Sequence, residues 1–347
     1  MKAKRVTIYD IAREVGIAPS SVSKALNNLP SVSDKIKALV KAKANELNYK
    51  YNSNAANLRS GFSKTIGVIV PKINVAFFSN AIAGIQEVCF ENNHGLIICQ
   101  SDECYEKEVQ CIQTLIHQNV DCILISLSQE TRSTRHLLEI KNNHMELVQF
   151  DRVDESFDSH RVVNDNCHAA YQAVKHLIGQ GYTKIAFLGS SNHLTVYNDR
   201  KQGYLQAIKE ADLTIPYNYI LDNEFKTETA LKAAVELLQY KDPPDAFFTV
   251  TDHAALGVLK AAWSLGLPVP RQVGIIGFSN ETFTEVTSPT LSSVDQQSRN
   301  LGKATAGMYF DHILAAGEEH TIARRFETQV IESSLIVRES SNRMRAL

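Results

Sequence analysis

Apolar residues in the first fifty positions recur at helical spacing. Ile8, Ile11, Ala12 and Val15 share one face; Val22, Ala25 and Leu26 share a second; Ile36, Leu39, Val40 and Leu47 share a third. The breaks between these faces are chemically specific. Thr7, followed three residues later by Asp10, is a capping-box arrangement that opens a helix. Gly16 suits the left-handed residue that closes it. Pro19 suits the first turn of the next helix, where a missing N–H is no loss. A third helix is predicted from Asp34 to about Asn48, capped by Ser33. Helix, glycine turn, helix is a helix-turn-helix, and three such helices make an all-α unit of about 50 residues, marginal in stability by itself. Residues 52–60 then offer one large apolar side chain, Leu58. That is too little to bury, so a linker is predicted, able to form a helical turn only if something holds it.

From Thr65 the period changes. Continuous apolar runs appear at 66–70, 96–99, 122–125, 147–150, 185–188, 246–250 and 273–277. Between them amphipathic stretches predict helices from Phe77 to about Asn93 and near 105–118, 131–143, 167–179, 199–211, 228–240 and 253–265. Apolar strands separated by such helices are buried on both faces, which means parallel α/β sheets. Two cycles predict two doubly wound subdomains. Beyond Leu291 one long helix and two short strands remain, too few for a third. They are assigned to completing the first two, giving 65–162 with 296–322, and 163–291 with 323–340, with 341–347 as a tail. Ligands on open parallel sheets bind beyond the carboxyl ends of the strands, so two facing lobes would enclose a cleft. The residues placed there are Phe77, Phe78, Ser126, Asp151, Arg152, Arg200, Thr251, Asp252, Ser279, Asn280, Glu281 and Gln296.

Charge adds a partner. Residues 1–64 carry a net +8 and the remainder a net −10, which the overall −2 conceals. A basic head on an acidic body points to a polyanion, most commonly a phosphate backbone. The exposed face of the second predicted helix is Pro19, Ser20, Ser21, Ser23 and Lys24. Short polar side chains let a backbone approach phosphates and base edges, and Lys24 can reach either. A plain solvated helix would carry the same residues. The 44% hydrophobic and 21% charged composition is that of an ordinary soluble protein. No apolar run reaches the roughly 18–20 residues of a membrane helix. The basic start MKAKRVTIYD has no apolar stretch behind it, so no secretory signal is read and the cytoplasm is expected. Cys89, Cys99, Cys104, Cys111, Cys122 and Cys167 form no C-x-x-C pair and are expected to be buried reduced thiols. No G-x-G-x-x-G follows a strand, and P-loop, G-x-S-x-G and H-E-x-x-H motifs are missing. An enzyme, a cofactor and a metal are therefore not expected.

The head segment TIYDIAREVGIAPSSVSKALNN (7–28), with Val32-Ser33, Leu47-Asn48-Tyr49, NAANLRSG (54–61) and KTIGVIVP (64–71), resembles the lactose-repressor (LacI-type) family of bacterial transcription regulators. DNCHAA (165–170), HLIGQGYTKIAFLG (176–189), RKQGY (200–204), TDHAALGVLKA (251–261), LGLPVPRQVGIIGF (265–278) and SPTLSSVDQ (288–296) extend the likeness over nearly the whole chain. The resemblance implies a helix-turn-helix DNA-binding domain at 1–51, a hinge at 52–64 and an effector-binding and dimerisation domain at 65–340, like the periplasmic sugar-binding proteins. Pro19, Ser20 and Lys24 would occupy base-reading positions in the major groove, with Thr7, Tyr9, Ser21, Ser23, Asn28, Asn54 and Ala55 also on the DNA. Leu58 would wedge into the minor groove of the operator and kink it. Paired hinges require a homodimer, and its two-fold symmetry implies a pseudo-palindromic operator. Asp151, Arg200, Phe225, Asp252 and Gln296 would surround a small effector, first a sugar or sugar derivative, with a nucleobase or sugar phosphate as alternatives. Five positions depart from the family pattern. Ala18 replaces an N-capping serine, Val75-Ala76 a common Asn-Pro, and Thr251 a common asparagine. Ser279 stands where Gly-Tyr/Phe-Asp supplies an aspartate that grips sugar hydroxyls, with Asn280 and Glu281 as candidate replacements.

Overall fold

The computed structural model describes residues 6–49, 63–190, 194–223, 226–314 and 326–343. The chain divides into two units, Met1–Ser63 and Lys64–Leu347.

The first unit holds α1 (Ile8–Val15), α2 (Pro19–Leu26) and α3 (Asp34–Glu46). The Thr7 backbone N–H and hydroxyl both donate to Asp10 Oδ2, at 2.9 and 2.8 Å. Gly16, with φ of 71°, closes α1 in the left-handed conformation. Ala18 gives α2 no side-chain cap, and Ser33, expected to cap α3, makes no capping bond either. Ile11, Val22, Ala25 and Val40 are fully buried at the centre of a small core. Leu39, expected inward, is 52% exposed. The buried face of α3 runs through Ile36, Val40, Ala44 and Leu47, and Leu39 lies off its centre.

The second unit begins with β1 (Thr65–Val70), α4 (Ala76–Glu91), β2 (Gly95–Gln100), α5 (Tyr105–His117), β3 (Cys122–Ile125), α6 (Leu138–Asn142), β4 (Glu146–Phe150) and β5 (His160–Asn164). It continues with α7 (Asn166–Gly179), β6 (Ile185–Leu188), α8 (Thr195–Glu210), β7 (Ile220–Leu221), α9 (Thr227–Leu238), β8 (Ala246–Thr249), α10 (Asp252–Ser264) and β9 (Gly274–Phe278). Then come β10 (Ser292–Asp295), α11 (Ser298–Gly307), β11 (Thr328–Ile331) and β12 (Ser334–Ile336). One sheet has the order β11-β5-β4-β3-β1-β2 and is parallel throughout. The other has the order β12-β10-β9-β8-β6-β7 and is parallel except for the β10–β12 pair. Both are doubly wound, and the strand order reverses between β1 and β3 and between β6 and β8, which is where such sheets open a ligand crevice. β3, β6 and β8 are wholly buried, as their unbroken apolar runs require.

The structure corrects several boundaries. β5 and β7 were not expected. β5 alternates buried His160, Val162 and Asn164 with half-buried Arg161 and Val163, so it lacks the continuous apolar signal of the central strands. The first lobe consequently runs to Asn164, not 162. Residues 323–340 do not all belong to the second lobe: β11 joins the first sheet and β12 the second. No change of texture in TQVIESSLI marks where the chain passes from one to the other. The helix near 131–143 shrinks to a 3₁₀ turn, Arg135–Leu137, and the short α6. Only Cys89 and Cys122 are buried; the other four cysteines are half-buried, and all six are free. Among the described residues no helix is long and apolar enough to cross a membrane.

The backbone passes between the two sheets after β5, after β10 and after β11. Asn164 ties these passages together. Its Nδ2 donates to the carbonyls of Gln296, at 2.8 Å, and Ile331, at 3.2 Å. The Ser333 N–H donates to Asp165 Oδ1 at 2.8 Å. Beside them α4 and α11 cross in close contact. A Cβ at Gly84 would lie 2.1 Å from the Arg299 carbonyl oxygen, and one at Gly302 would lie 2.0 Å from that of Ala81.

Candidate functional site

In the head, α2 buries Val22 and Ala25 and turns Ser20 and Lys24 outward, with Pro19, Ser21 and Ser23 half-buried beside them. Thr7 and Tyr9, at the start of α1, are exposed. Arg13, Lys37 and Lys43 have acidic partners at 3.9, 3.0 and 2.7 Å. Lys24 has none among the described residues, so its ammonium is available to an outside anion. Asn28, in the left-handed conformation at φ 56°, already accepts a 2.6 Å hydrogen bond from Lys41. Asn54, Ala55 and Leu58 lie outside the described residues.

In the body, Asp151 follows β4 in one lobe and Arg200 lies on α8 in the other, and each feels the other's charge. Arg200 sits in the first turns of α8 and is 4% exposed. Its Nε donates to Asn166 Oδ1 at 2.9 Å, its Nη1 to the Val250 carbonyl at 2.7 Å, and its guanidinium lies 3.7 Å from the centre of the Phe278 ring. Tyr197, one turn earlier, lies 5.5 Å from the same group. Burial lowers the Arg200 pKa to about 10, with Tyr197 and Asp151 opposing the fall. Among the described residues no carboxylate stands within ion-pair distance of it. Asp151 follows β4 in the left-handed conformation, at φ 57°. Its Oδ2 accepts from Ser126 Oγ at 3.3 Å and lies 3.9 Å from Arg152 Nε. Burial pushes its carboxyl above the ordinary range, and Arg152 and Arg200 offset part of that rise. Arg152 itself is paired with Glu103 at 2.7 Å and lies 5.5 Å from the Phe78 ring.

The arrangement is thus a buried guanidinium, fixed on two sides, with a buried carboxylate that feels its charge and has acceptor capacity left. It suits a ligand that both accepts and donates, such as one bearing hydroxyls. Gln296 closes the floor: Ser279 Oγ donates to its Oε1 at 3.0 Å, and its Nε2 reaches Asn164 Oδ1 at 3.4 Å. Ser279 carries a φ of 109°, a backbone conformation that L residues rarely adopt and one often found at functional sites.

Several expected site residues have other duties. Asp252 is fully buried; Oδ2 accepts the Glu281 N–H at 2.7 Å and Oδ1 accepts Ser293 Oγ–H at 2.6 Å. It holds a loop and does not face the cleft. Thr251 caps α10 by accepting the Ala254 N–H at 3.2 Å. Asn280 does not replace the missing aspartate, because its side chain binds Asp295 at 3.3 Å and Arg338 at 2.8 Å. Glu281 is 9% exposed, and its backbone N–H is tied to Asp252. Phe77 and Phe78 belong to the first lobe's core, and only Phe78 also meets a site residue. Phe225 lies outside the described residues. Sequence reasoning missed Asn166, Tyr197 and Asn164. Each stands within two residues of a strand end or on the helix that carries Arg200, which is the one signal that could have found them.

Residues 7–52 match the family model of bacterial regulatory proteins, lacI family, and residues 174–341 that of the periplasmic binding protein-like domain. The chain is 31% identical over 334 residues to the HTH-type transcriptional repressor PurR of Vibrio vulnificus, covering 96% of this chain and 98% of that protein. It is 30% identical over 298 residues to catabolite control protein A of Priestia megaterium, covering 86% and 89%. The fold superposes on the lac repressor dimer bound to operator and the anti-inducer ONPF with a TM-score of 0.83 at 20% identity, covering 97% of this chain and 99% of that one.

Proposed function

The chain belongs to the lacI family of bacterial regulatory proteins, and from that premise we propose that it is a transcriptional repressor whose grip on a pseudo-palindromic operator changes when a small effector enters the cleft between its lobes. The observation that carries the reading is Arg200, a buried guanidinium fixed by Asn166 and Val250 and left without a carboxylate partner at ion-pair distance among the described residues. A buried charge held in this way is completed by a ligand. An effector with higher affinity for one lobe arrangement shifts the population toward it, and about 1–3 kcal/mol of coupling would give a typical allosteric response.

The head would read DNA through α2, with Lys24 toward a base edge or phosphate. Residues 52–64 would act as the hinge, with Leu58 as the minor-groove wedge. Two copies are needed for this. The open edge of the first sheet supports pairing: Ile98 on β2, Phe90 in the last turn of α4 and Ile73, bonded to Gln100, are 45%, 82% and 49% exposed. Asp151 opposite Arg200 favours a hydroxyl-bearing effector, a sugar or sugar derivative. The neutral Ser279, with Asn280 engaged elsewhere, favours instead a ligand that needs no second carboxylate, a nucleobase or sugar phosphate.

Operator binding by fluorescence anisotropy, titrated with sugars, sugar phosphates and nucleobases, tests the proposal. Arg200→Ala should bind operator within about threefold of wild type yet lose the response to whichever compound acts, since one buried hydrogen-bonded charge is worth roughly tenfold or more. A normal response in that variant would remove Arg200 from the site.

A further inference from the structure

Gln296 belongs to two parts of the body at once. Its side-chain Oε1 accepts from Ser279 Oγ at 3.0 Å, beside the cleft. Its main chain follows β10, where the backbone makes the second of its three passages between the sheets. Asn164, at the first passage, donates from Nδ2 to the Gln296 carbonyl at 2.8 Å and to the Ile331 carbonyl, at the third, at 3.2 Å. Its Oδ1 accepts from Gln296 Nε2 at 3.4 Å. A second route reaches Asn164 from Arg200. Arg200 Nε donates to Asn166 Oδ1 at 2.9 Å, and Asn166 Nδ2 donates to the Asn164 carbonyl at 3.4 Å. Two routes from the cleft therefore end on one residue, and that residue binds both other passages.

Asn164, Asn166, Arg200 and Gln296 are all buried, so a broken bond among them is not replaced by water without cost. The bonds differ in strength. Those at 2.8–3.0 Å have ordinary length, whereas the two at 3.4 Å exceed the usual range of roughly 2.7–3.2 Å and are weak. Each weak bond joins Asn164 to one of the two routes, so a shift of a few tenths of an ångström makes or breaks it. The backbone next to Gln296 is suited to movement. Gln297 has a φ of 54°, a left-handed conformation that costs a side-chain-bearing residue energy, and its N–H is held by Asp295 Oδ1 at 2.7 Å. Residues that absorb large backbone changes are the hinges of lobe movements.

We propose that Asn164 is the positioning residue through which the contents of the cleft act on the passages between the lobes. As a control on effector response, it rests on the reading of the cleft given above. A small molecule that takes Ser279 as a partner loosens or tightens Gln296, and one that takes Arg200 does the same to Asn166. Either change alters the hold of Asn164 on the carbonyls of Gln296 and Ile331. One amide carries both of those bonds, so the passages respond together.

Amide hydrogen exchange in the full-length protein, with neither small molecule nor operator added, tests this. The amides to follow are those of Asp165, which donates to the Ile331 carbonyl, and Ser333, which donates to Asp165 Oδ1. Ser279→Ala cuts one route and Arg200→Ala the other. Each should speed exchange at these amides about two- to tenfold, the worth of one buried hydrogen bond. Asn164→Ala should speed it at least as much, and adding Ser279→Ala or Arg200→Ala to it should speed it no further. Asn164→Asp keeps the size and an acceptor but loses both donations; it should behave as Asn164→Ala and replaces it if the alanine variant does not fold. A residue that merely braced the passages would give double variants equal to the product of the single effects. That product, or exchange unchanged by both Ser279→Ala and Arg200→Ala, would overturn the proposal. Operator titration separates the two readings. Multiplied exchange rates with Arg200→Ala still unresponsive remove Asn164 from the route and keep the repressor. Saturating exchange rates in a wild-type protein that binds no operator keep the route and sink the repressor.

Discussion

Asp252 accepts two hydrogen bonds with no exposed surface, and burial pushes its carboxyl up to about 7. An acid whose folded pKa exceeds its unfolded value of about 3.9 holds its proton more tightly in the native state. The stability it contributes is therefore complete below about pH 4 and is lost as pH rises to about 7. Asp252→Asn does not titrate. The wild-type Tm minus the Asp252→Asn Tm should fall from pH 4 to pH 7 in a calorimetric series, and a difference that stays flat would assign Asp252 an ordinary pKa. Arg200 and Asp151 were legible in the sequence because they follow predicted strands or open a predicted helix. Asp252 was legible as a position but not as a role. A carboxylate after a strand looks the same whether it faces a cleft or ties down the next loop, and only Ser293, forty-one positions away, decides between them.

Helices and central strands were readable because burial on one face or both imposes a period on the residues. The outer strands on one side of the first sheet were not: β11 at the edge and β5 beside it mix polar and apolar residues, since they are less fully covered than the centre. Close contacts between helices are also silent in periodicity. At the crossing of α4 with α11, Gly84 and Gly302 allow backbone to touch backbone. Gly302→Ala should drive the helices apart and destabilise the protein by about 1–3 kcal/mol in denaturant titration. Gly179→Ala, where nothing lies within 4 Å of the added carbon, should be neutral or stabilising by up to about 1 kcal/mol. Equal effects from the two would mean that the crossing relaxes freely.

For the molecule as a whole, the charge contrast between head and body was plain from the sequence, whereas the pairing surface was not, because an exposed apolar residue looks like a core residue until the sheet order shows β2 at an edge. Phe90→Asp with Ile98→Asp should convert the protein to monomer in sedimentation velocity at micromolar concentration and reduce operator affinity at least tenfold, since paired heads gain from effective concentration. A doubly substituted protein that stays dimeric would move the interface elsewhere. The split of β11 and β12 between the sheets bears on synthesis. Each lobe lacks an edge strand until residues 328–336 leave the ribosome, while the DNA-reading helices emerge first. A polypeptide interrupted before that point would leave both sheets without an edge strand, with unpaired backbone groups along β5 and β10.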